Sequence, residues 1–164
     1  MLEVRSPFPD GARYECDGLL IAPAQDFTLT HAAGSKRALE RVLGTKLTFG
    51  QASEVNGRTL LQVSATQVWC LGEPPLAADL YLTPLSSGRS RIAVSGAKAR
   101  SLLASSAPID FHPSVFGEGR YAMTGIHHTP VLIHCVAADT FHLYPMRTFA
   151  LSIWEWLVDA AEGL

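Results

Sequence analysis

The chain has 164 residues, of which 48% are hydrophobic and 17% charged, and its formal net charge is −2. A chain of this length fits one domain and can bury roughly 70% of the surface of the unfolded chain. The near-neutral charge argues against a nucleic-acid or anionic-membrane partner. No apolar run reaches the roughly 18 residues that span a bilayer. We therefore expect a single packed domain with neither nucleic acid nor membrane as a partner.

Three cysteines, Cys16, Cys70 and Cys135, lie far apart without a C-x-x-C motif. An odd number of widely spaced cysteines indicates reduced thiols rather than a disulfide framework or a zinc site. The N-terminus lacks the apolar segment of a signal peptide. Both features predict a cytoplasmic protein.

Arginine outnumbers lysine by ten to three. Guanidinium groups suit buried and interfacial ion pairs better than ammonium groups do. The same bias also arises from a GC-rich genome, so both explanations stand.

The chain begins with residues 1–26, which are rich in proline and glycine and show little periodicity. This composition predicts an N-terminal arm with little regular structure, followed by one α+β domain over residues 27–164. Apolar and polar side chains alternate over residues 27–32, which predicts a short strand. A helix is then predicted over 35–44, with Ser35 as its N-cap and Gly44 as its stop.

The middle of the chain contains extended segments with clear turn signals. Asn56-Gly57 between two such segments is a strong hairpin signal, and residues 66–72 form the next predicted strand. Residues 90–96 read as a core strand that leads directly into a helix, with Ser95 as the N-cap.

The last third predicts three strands in a meander and a terminal helix. Along that helix, polar residues fall at offsets of zero, three, seven and ten, which makes one polar stripe on an apolar helix. Strands in runs with a few covering helices predict an α+β fold, a largely antiparallel sheet with helices packed on one side.

Ser95 and Lys98 match the S-x-x-K nucleophile motif of penicillin-interacting enzymes. Neither S-D-N nor K-T-G is present to complete that set. The helix-cap interpretation of Ser95 is therefore favoured over a catalytic one.

His134 and His142 are the histidines best placed for a shared site. A three-residue hairpin loop at 137–139 would put His134 opposite His142 and Leu132 opposite Tyr144, close enough for two imidazoles to share a cation. Cys135 would point to the opposite, apolar face and could not be a further ligand. A polar sheet face is thus favoured over a metal site.

Residues 108–120, PIDFHPSVFGEGR, place Asp110 and His112 between two prolines. Such a pair could orient a general base. No nucleophile is implied nearby, and an aspartate before a proline-containing turn commonly caps backbone amides. The residues favour a structural role.

These residues also carry a family resemblance. The sequence from 95 to 120 resembles the gamma subunit of heterotetrameric sarcosine oxidase, which has a Ser-Gly-x-x-Ala-Arg junction and then an Asp-x-His-Pro-x-x-Phe-x-x-Gly loop. The matching residues here are Ser95, Gly96, Ala99, Arg100, Asp110, His112, Pro113, Phe116 and Gly119, followed by Arg120. The resemblance extends over about 89–161 and, more weakly, over 59–72. Residues 73–88 depart from it, because they are too short for the second strand and helix that the family usually has there.

The resemblance implies a fold like one half of the folate-binding domain of aminomethyltransferases. It also implies a non-catalytic subunit that packs against the alpha subunit, with beta and delta subunits in the same complex. The complex demethylates sarcosine or a related secondary amine oxidatively. Its FAD, FMN, NAD, tetrahydrofolate and zinc belong to other subunits, so the resemblance implies no catalytic, cofactor or metal residue in this chain.

Two alternatives remain open at this point: a free-standing folate-binding module for one-carbon chemistry, and a homodimer. Residues 108–120 are interpreted as a rigid connector that presents Phe116 and Arg120 to a neighbouring subunit or to the fold's own sheet.

The face of the meander that carries Leu132, His134, His142 and Tyr144 has few charges and several amphipathic rings. Such a composition is typical of a surface covered by a partner chain. We therefore predict a partner interface on this face, and we expect its apolar reverse to pack on the terminal helix.

Overall fold

The computed structural model describes residues 5–24 and 26–164. Within them the chain forms eleven strands, three α-helices and a short 3-10 turn, Arg147–Phe149. The strands are β1 Tyr14–Cys16, β2 Leu19–Ala24, β3 Leu29–Ala33, β4 Ser53–Val55, β5 Arg58–Ser64, β6 Gln67–Leu71, β7 Tyr81–Pro84, β8 Arg91–Ser95, β9 Tyr121–Ile126, β10 Thr129–Ala137 and β11 Thr140–Pro145. The helices are α1 Lys36–Leu43, α2 Ala99–Ser106 and α3 Ala150–Glu162.

The strands make two antiparallel sheets. The first sheet has the order β1-β2-β8-β11-β10-β9, and the second has the order β4-β5-β6-β3-β7. Helices α2 and α3 cover the outer side of the first sheet, and α1 covers the outer side of the second. The α+β class and the antiparallel pairing are confirmed. Each sheet carries its helices on one side.

Three apolar clusters hold these four layers together. One lies between the first sheet and its helices, where Ile133, Phe141 and Leu157 meet. Another lies between the second sheet and α1. A third joins the inner faces of the two sheets. The first sheet is therefore buried on both faces, as is expected of a sheet between two other layers.

Part of the expected N-terminal arm is regular structure. Residues 14–24 form the β1–β2 hairpin, and residues 20–24 of β2 pair with β8. The prediction of little structure was wrong here because Leu19 and Ile21 alternate inward into the core, and Gly18, at a φ of 75°, makes the tight turn between the strands. Residues 1–4 and 25 of the predicted arm lie outside the described residues.

The local signals in the next part of the chain are confirmed. The Ser35 hydroxyl accepts a hydrogen bond from the Ala38 amide at the start of α1, and Gly44 ends the helix at a φ of 73°. Asn56 and Gly57 have φ angles of 50° and 73° and connect β4 to β5. These left-handed angles are those of the turn that best matches the twist of a two-residue hairpin.

Residues 73–88 hold the strand β7, which pairs with β3 at the edge of the second sheet. No helix occurs within this segment, all of which is described. The segment is thus reduced to an edge strand, in line with its short length. None of the helices in the described parts of the chain is long and apolar enough to cross a bilayer.

The junction between β8 and α2 is built by backbone contacts rather than by a Ser95 cap. Ser95 is the last residue of β8, paired with Leu20 and Thr140, and the N-cap of α2 is Lys98, without a side-chain bond. The Lys98 amide donates to the Gly18 carbonyl and the Ala99 amide to the Gly96 carbonyl. The cap prediction failed because these carbonyls already satisfy amides at the helix start.

Gly96 is required at this junction for two reasons. Its φ of 111° lies in a region that side chains disfavour, and a Cβ atom there would lie 2.4 Å from the Gly18 carbonyl oxygen. The β1–β2 turn thus crosses directly over Gly96. The packing of the N-terminal hairpin on the first sheet depends on the missing side chain.

We expect Gly96→Ala to lower the free energy of unfolding by at least about 2 kcal/mol, because both the backbone angle and the clash resist a methyl group. Urea denaturation measures the change. Gly163→Ala is the matched control, since a Cβ atom there meets its nearest atom, the Ala160 carbonyl oxygen, at 3.6 Å. Equal stability of the two variants would contradict the close crossing.

Candidate functional site

Arg100, in the first turn of α2, fixes the segment 108–120. Its side chain is 14% exposed and donates hydrogen bonds to the carbonyl oxygens of Phe111 at 2.6 Å and Phe116 at 3.0 Å. It also donates to the Ala138 carbonyl and to the Asp139 carboxylate. One guanidinium therefore ties the loop after α2 to the β10–β11 turn. A planar group with five donors suits this task.

The same guanidinium lies over an aromatic cluster. Its carbon is 5.0 Å from the centre of the Phe141 ring, and the Phe111 and Phe116 rings pack against Phe141 with centroid distances of 5.9 and 6.5 Å. Cys135 is fully buried beside it, and burial raises the pKa of its thiol above the ordinary value. A thiol in this state is poorly suited to nucleophilic chemistry.

Asp110 and His112 do not form a relay. The Asp110 carboxylate accepts a hydrogen bond of 2.8 Å from the backbone amide of His112, and it is not bonded to the imidazole. The His112 Nδ1 atom instead lies 2.7 Å from the Ser114 hydroxyl. This confirms the prediction that Asp110 caps an amide. The sequence pattern did not indicate the contact between His112 and Ser114.

The remaining loop residues divide between core and surface. Phe116 is buried in the fold's own core, while His112, Pro113 and Arg120 are exposed. Of the two alternatives for Phe116, the structure supports packing on the chain's own sheet. Pro113 lies within the tight turn in which the Phe116 amide donates to the His112 carbonyl.

Gly119 connects the loop to the residue that precedes β4 of the second sheet. Its carbonyl accepts a hydrogen bond of 2.7 Å from the Ala52 amide, and its amide donates to the Cys135 carbonyl. A Cβ atom at Gly119, where φ is 80°, would lie 2.4 Å from the Gln51 side-chain nitrogen. The Gln51 side chain can move away, so it is the left-handed backbone angle that favours glycine here.

The pairing of His134 with His142 and of Leu132 with Tyr144 is confirmed. The hairpin differs only at its end, where Ala137 pairs with Thr140 after a bulge, so the loop is one residue shorter than predicted. The reverse face packs against α3 as expected, with Leu157 in the same core.

The prediction of a partner interface on this face was wrong. Leu132 and Tyr144 are buried against Leu29, Leu61 and Trp69 of the second sheet. His134 is 5% exposed, and His142 is partly buried. The amphipathic composition does indicate a covered surface, but the covering layer is the chain's own second sheet.

A cleft of about 330 Å³ remains between the sheets beside the two histidines. Burial lowers the pKa of His134 to about 4, with a smaller contribution from His142. Burial also lowers the pKa of His142 to about 4, helped by the positive charge of Arg91. Neutral imidazoles could accept a cation, but Arg91 opposes one. Within the described residues no three His, Cys, Asp or Glu side chains come together as metal ligands.

The fold brings Arg89, Arg91 and Arg147 to one cavity. No motif in the sequence indicates that these three residues lie together. The excess of arginine over lysine was the only signal for them.

Arg100→Lys should lower the free energy of unfolding by about 2–3 kcal/mol, because an ammonium group cannot make the divergent bonds of the guanidinium. Urea denaturation is the measurement. Arg13→Lys, which changes an exposed ion pair with Glu15, is the matched control and should cost less than about 0.5 kcal/mol. If both variants unfold alike, Arg100 does not fix the loop.

Tyr144→Lys should lower the unfolding free energy by at least about 3 kcal/mol, since it places a charge between the sheets. The control is Tyr81→Lys on the edge strand β7, where the ring is 82% exposed. Thermal melting compares the two. Equal melting temperatures would restore the outer-surface interpretation of the Tyr144 face.

Comparison with known proteins gives consistent matches. The model of the sarcosine oxidase, gamma subunit family matches residues 71–163. The gamma subunit of sarcosine oxidase from Arthrobacter sp. is 34% identical over 89 residues, which are 54% of this chain and 41% of that protein. The Corynebacterium sp. (strain P-1) subunit is 30% identical over 99 residues, 60% of this chain and 47% of that protein. The matched regions thus span less than half the length of these relatives.

Two solved structures have a similar fold. A chain of heterotetrameric sarcosine oxidase from Corynebacterium sp. U-96, in complex with pyrrole 2-carboxylate, aligns with a TM-score of 0.78 and 21% identity, covering 88% of this chain and 84% of that one. Aminomethyltransferase T of the glycine cleavage system from Bartonella henselae aligns with a TM-score of 0.61 and 14% identity, covering 84% of this chain and 45% of that one. The fold is thus that of about half an aminomethyltransferase chain. With the family model matching more than half of its residues, the chain belongs to the sarcosine oxidase gamma subunit family.

Proposed function

We propose that this chain is the non-catalytic gamma subunit of a heterotetrameric complex that oxidatively demethylates sarcosine or a related secondary amine. Family membership supports the type of subunit, and the fold match to a chain of a heterotetrameric sarcosine oxidase supports assembly with other subunits. The partners in this proposal are an alpha-type subunit, in direct contact, and beta- and delta-type subunits.

The observation that carries the proposal is the use made of the family-motif residues. Arg100 donates hydrogen bonds to carbonyl oxygens of its own chain, and Asp110 accepts one from a loop amide. Gly96 permits the close backbone approach of Gly18, and Gly119 adopts a left-handed backbone angle. Each role is met inside the fold, so the motif is explained by architecture without a reacting substrate.

The proposal assigns the chemistry to the other subunits, with FAD, FMN, NAD, tetrahydrofolate and zinc bound there. It also places the complex in the cytoplasm. The three cysteines are free thiols in the fold, which suits a reducing compartment.

Co-expression with the alpha-, beta- and delta-type subunits tests the role in assembly. We expect the four chains to co-purify. We also expect Asp110→Ala and His112→Ala, separately and combined, to leave sarcosine-dependent turnover per assembled complex within about twofold of the wild type, since neither group would take part in the reaction. An intact complex that loses turnover on either change would assign chemistry to this chain.

Calorimetry of the isolated chain with tetrahydrofolate and 5-formyl-tetrahydrofolate tests the rival folate-binding module. We expect neither folate to bind the isolated chain with micromolar affinity. Sedimentation of the same sample tests the rival homodimer. A stable dimer that does not exchange into the co-expressed complex would contradict the subunit role.

A further inference from the structure

A cavity of about 270 Å³ opens where four separate segments of the chain meet. These are the N-terminal segment at residues 7–8, the end of β2 with residue 27, the loop before β8, and the 3-10 turn after β11. Its polar lining consists of three arginines and three serines: Arg89, Arg91, Arg147, Ser86, Ser87 and Ser90. Phe8 and Phe27 supply an apolar part of the wall.

The charge of this cavity is unbalanced. None of the residues that line it is acidic. In the part of the chain that the structure describes, all ion pairs lie elsewhere, so none of the three guanidinium groups pairs with a carboxylate. Asp26 directly precedes the lining residue Phe27. Its backbone carbonyl oxygen accepts a hydrogen bond of 3.1 Å from Arg91. Three positive charges thus converge without a counter-charge from the described residues.

The guanidinium groups are held in place by neutral partners. Arg89 lies over the Trp69 ring at 4.8 Å and donates to the Tyr144 carbonyl at 3.4 Å. Arg91 lies over the Phe27 ring at 5.1 Å. Arg147 donates to the Arg5 carbonyl. Aromatic faces and carbonyls fix these side chains but do not neutralise them, so the positive charge remains available for a ligand.

Arg89 and Arg91 are partly withdrawn from solvent. The Arg91 Nε atom is buried and has no hydrogen-bond partner among the described residues. Burial also lowers the pKa of Arg89 below its ordinary value. A charged group that is partly withdrawn from water without a carboxylate partner is destabilising, and an anion in the cavity would offset that cost.

We propose that this cavity binds the phosphate group of a small molecule, or inorganic phosphate itself. The paired donors of a guanidinium group match the spacing of phosphate oxygens. A phosphate dianion also balances more of the positive charge than a monoanionic carboxylate does. The serine hydroxyls can add further donors. The volume exceeds that of the anion alone, and Phe8 and Phe27 offer an apolar wall for a small organic part of the ligand.

Calorimetric titration of the full chain with sodium phosphate, at ionic strength held constant with sodium chloride, tests the site. The wild type should show saturable binding of one phosphate. Sodium acetate under the same conditions should bind at least about tenfold more weakly, because it carries a single charge. Binding is measured without other subunits, so its outcome does not depend on assembly of the complex.

Arg89→Gln/Arg147→Gln should weaken phosphate binding by about tenfold or more, since it removes two of the three charges. The matched control is Arg37→Gln/Arg120→Gln, which removes two exposed charges away from the cavity and should change the affinity less than about twofold. Should the first variant not fold, Arg147→Gln and Arg147→Lys are compared singly. Only the lysine, which keeps the charge, should retain most of the affinity.

Three results would overturn the site: no saturable phosphate binding by the wild type, acetate binding as tight as phosphate, or equal weakening by the cavity and control variants.

Discussion

The hydrogen bonds of the Arg100 guanidinium are the interaction on which the loop between α2 and β9 depends. They connect the start of α2, the loop that follows it and the turn between β10 and β11, three places far apart in the chain. The loop has almost no regular structure, so its carbonyls require a donor from elsewhere. Because one side chain serves several carbonyls at once, the position of Phe116 in the core and the path of the chain into β9 both follow from it.

A second constraint is the burial of the first sheet on both faces. Helices cover one face and the second sheet covers the other, so strands such as β10 have nearly continuous burial. The His134 and His142 imidazoles sit where the sheets begin to separate, and there burial keeps them neutral. A surface whose composition suits a partner is covered in this protein by its own second sheet, so the subunit contacts proposed above would use other surfaces.

The arginines show how the same residue type serves two different purposes. Arg100 has a carboxylate and several carbonyls around it, and its charge is balanced by Asp139. Arg89, Arg91 and Arg147 are held by rings and carbonyls with no carboxylate from the described residues. The first pattern is that of a structural clamp. The second leaves charge free for an anion, which is why the proposed phosphate site lies with the latter group and not with the family motif.

Features that depend on neighbouring residues could be predicted from the sequence. The Ser35 cap, the Asn56-Gly57 turn, the α+β class and the register of His134 with His142 all follow from local backbone preferences and from the alternation of side chains along strands. The family resemblance, too, rests on a short run of motif residues around Arg100.

What lies against each surface could not be predicted in this way, because it depends on how distant segments pack. Periodicity shows that Tyr144 and Ile133 point in opposite directions, but it does not show that a second sheet covers Tyr144. Capping rules could not foresee that the carbonyl of Gly18, from a distant hairpin, would replace Ser95 at the start of α2. Nor could composition place three arginines around one cavity. These outcomes depend on contacts between segments distant in sequence, and local patterns carry no information about such contacts.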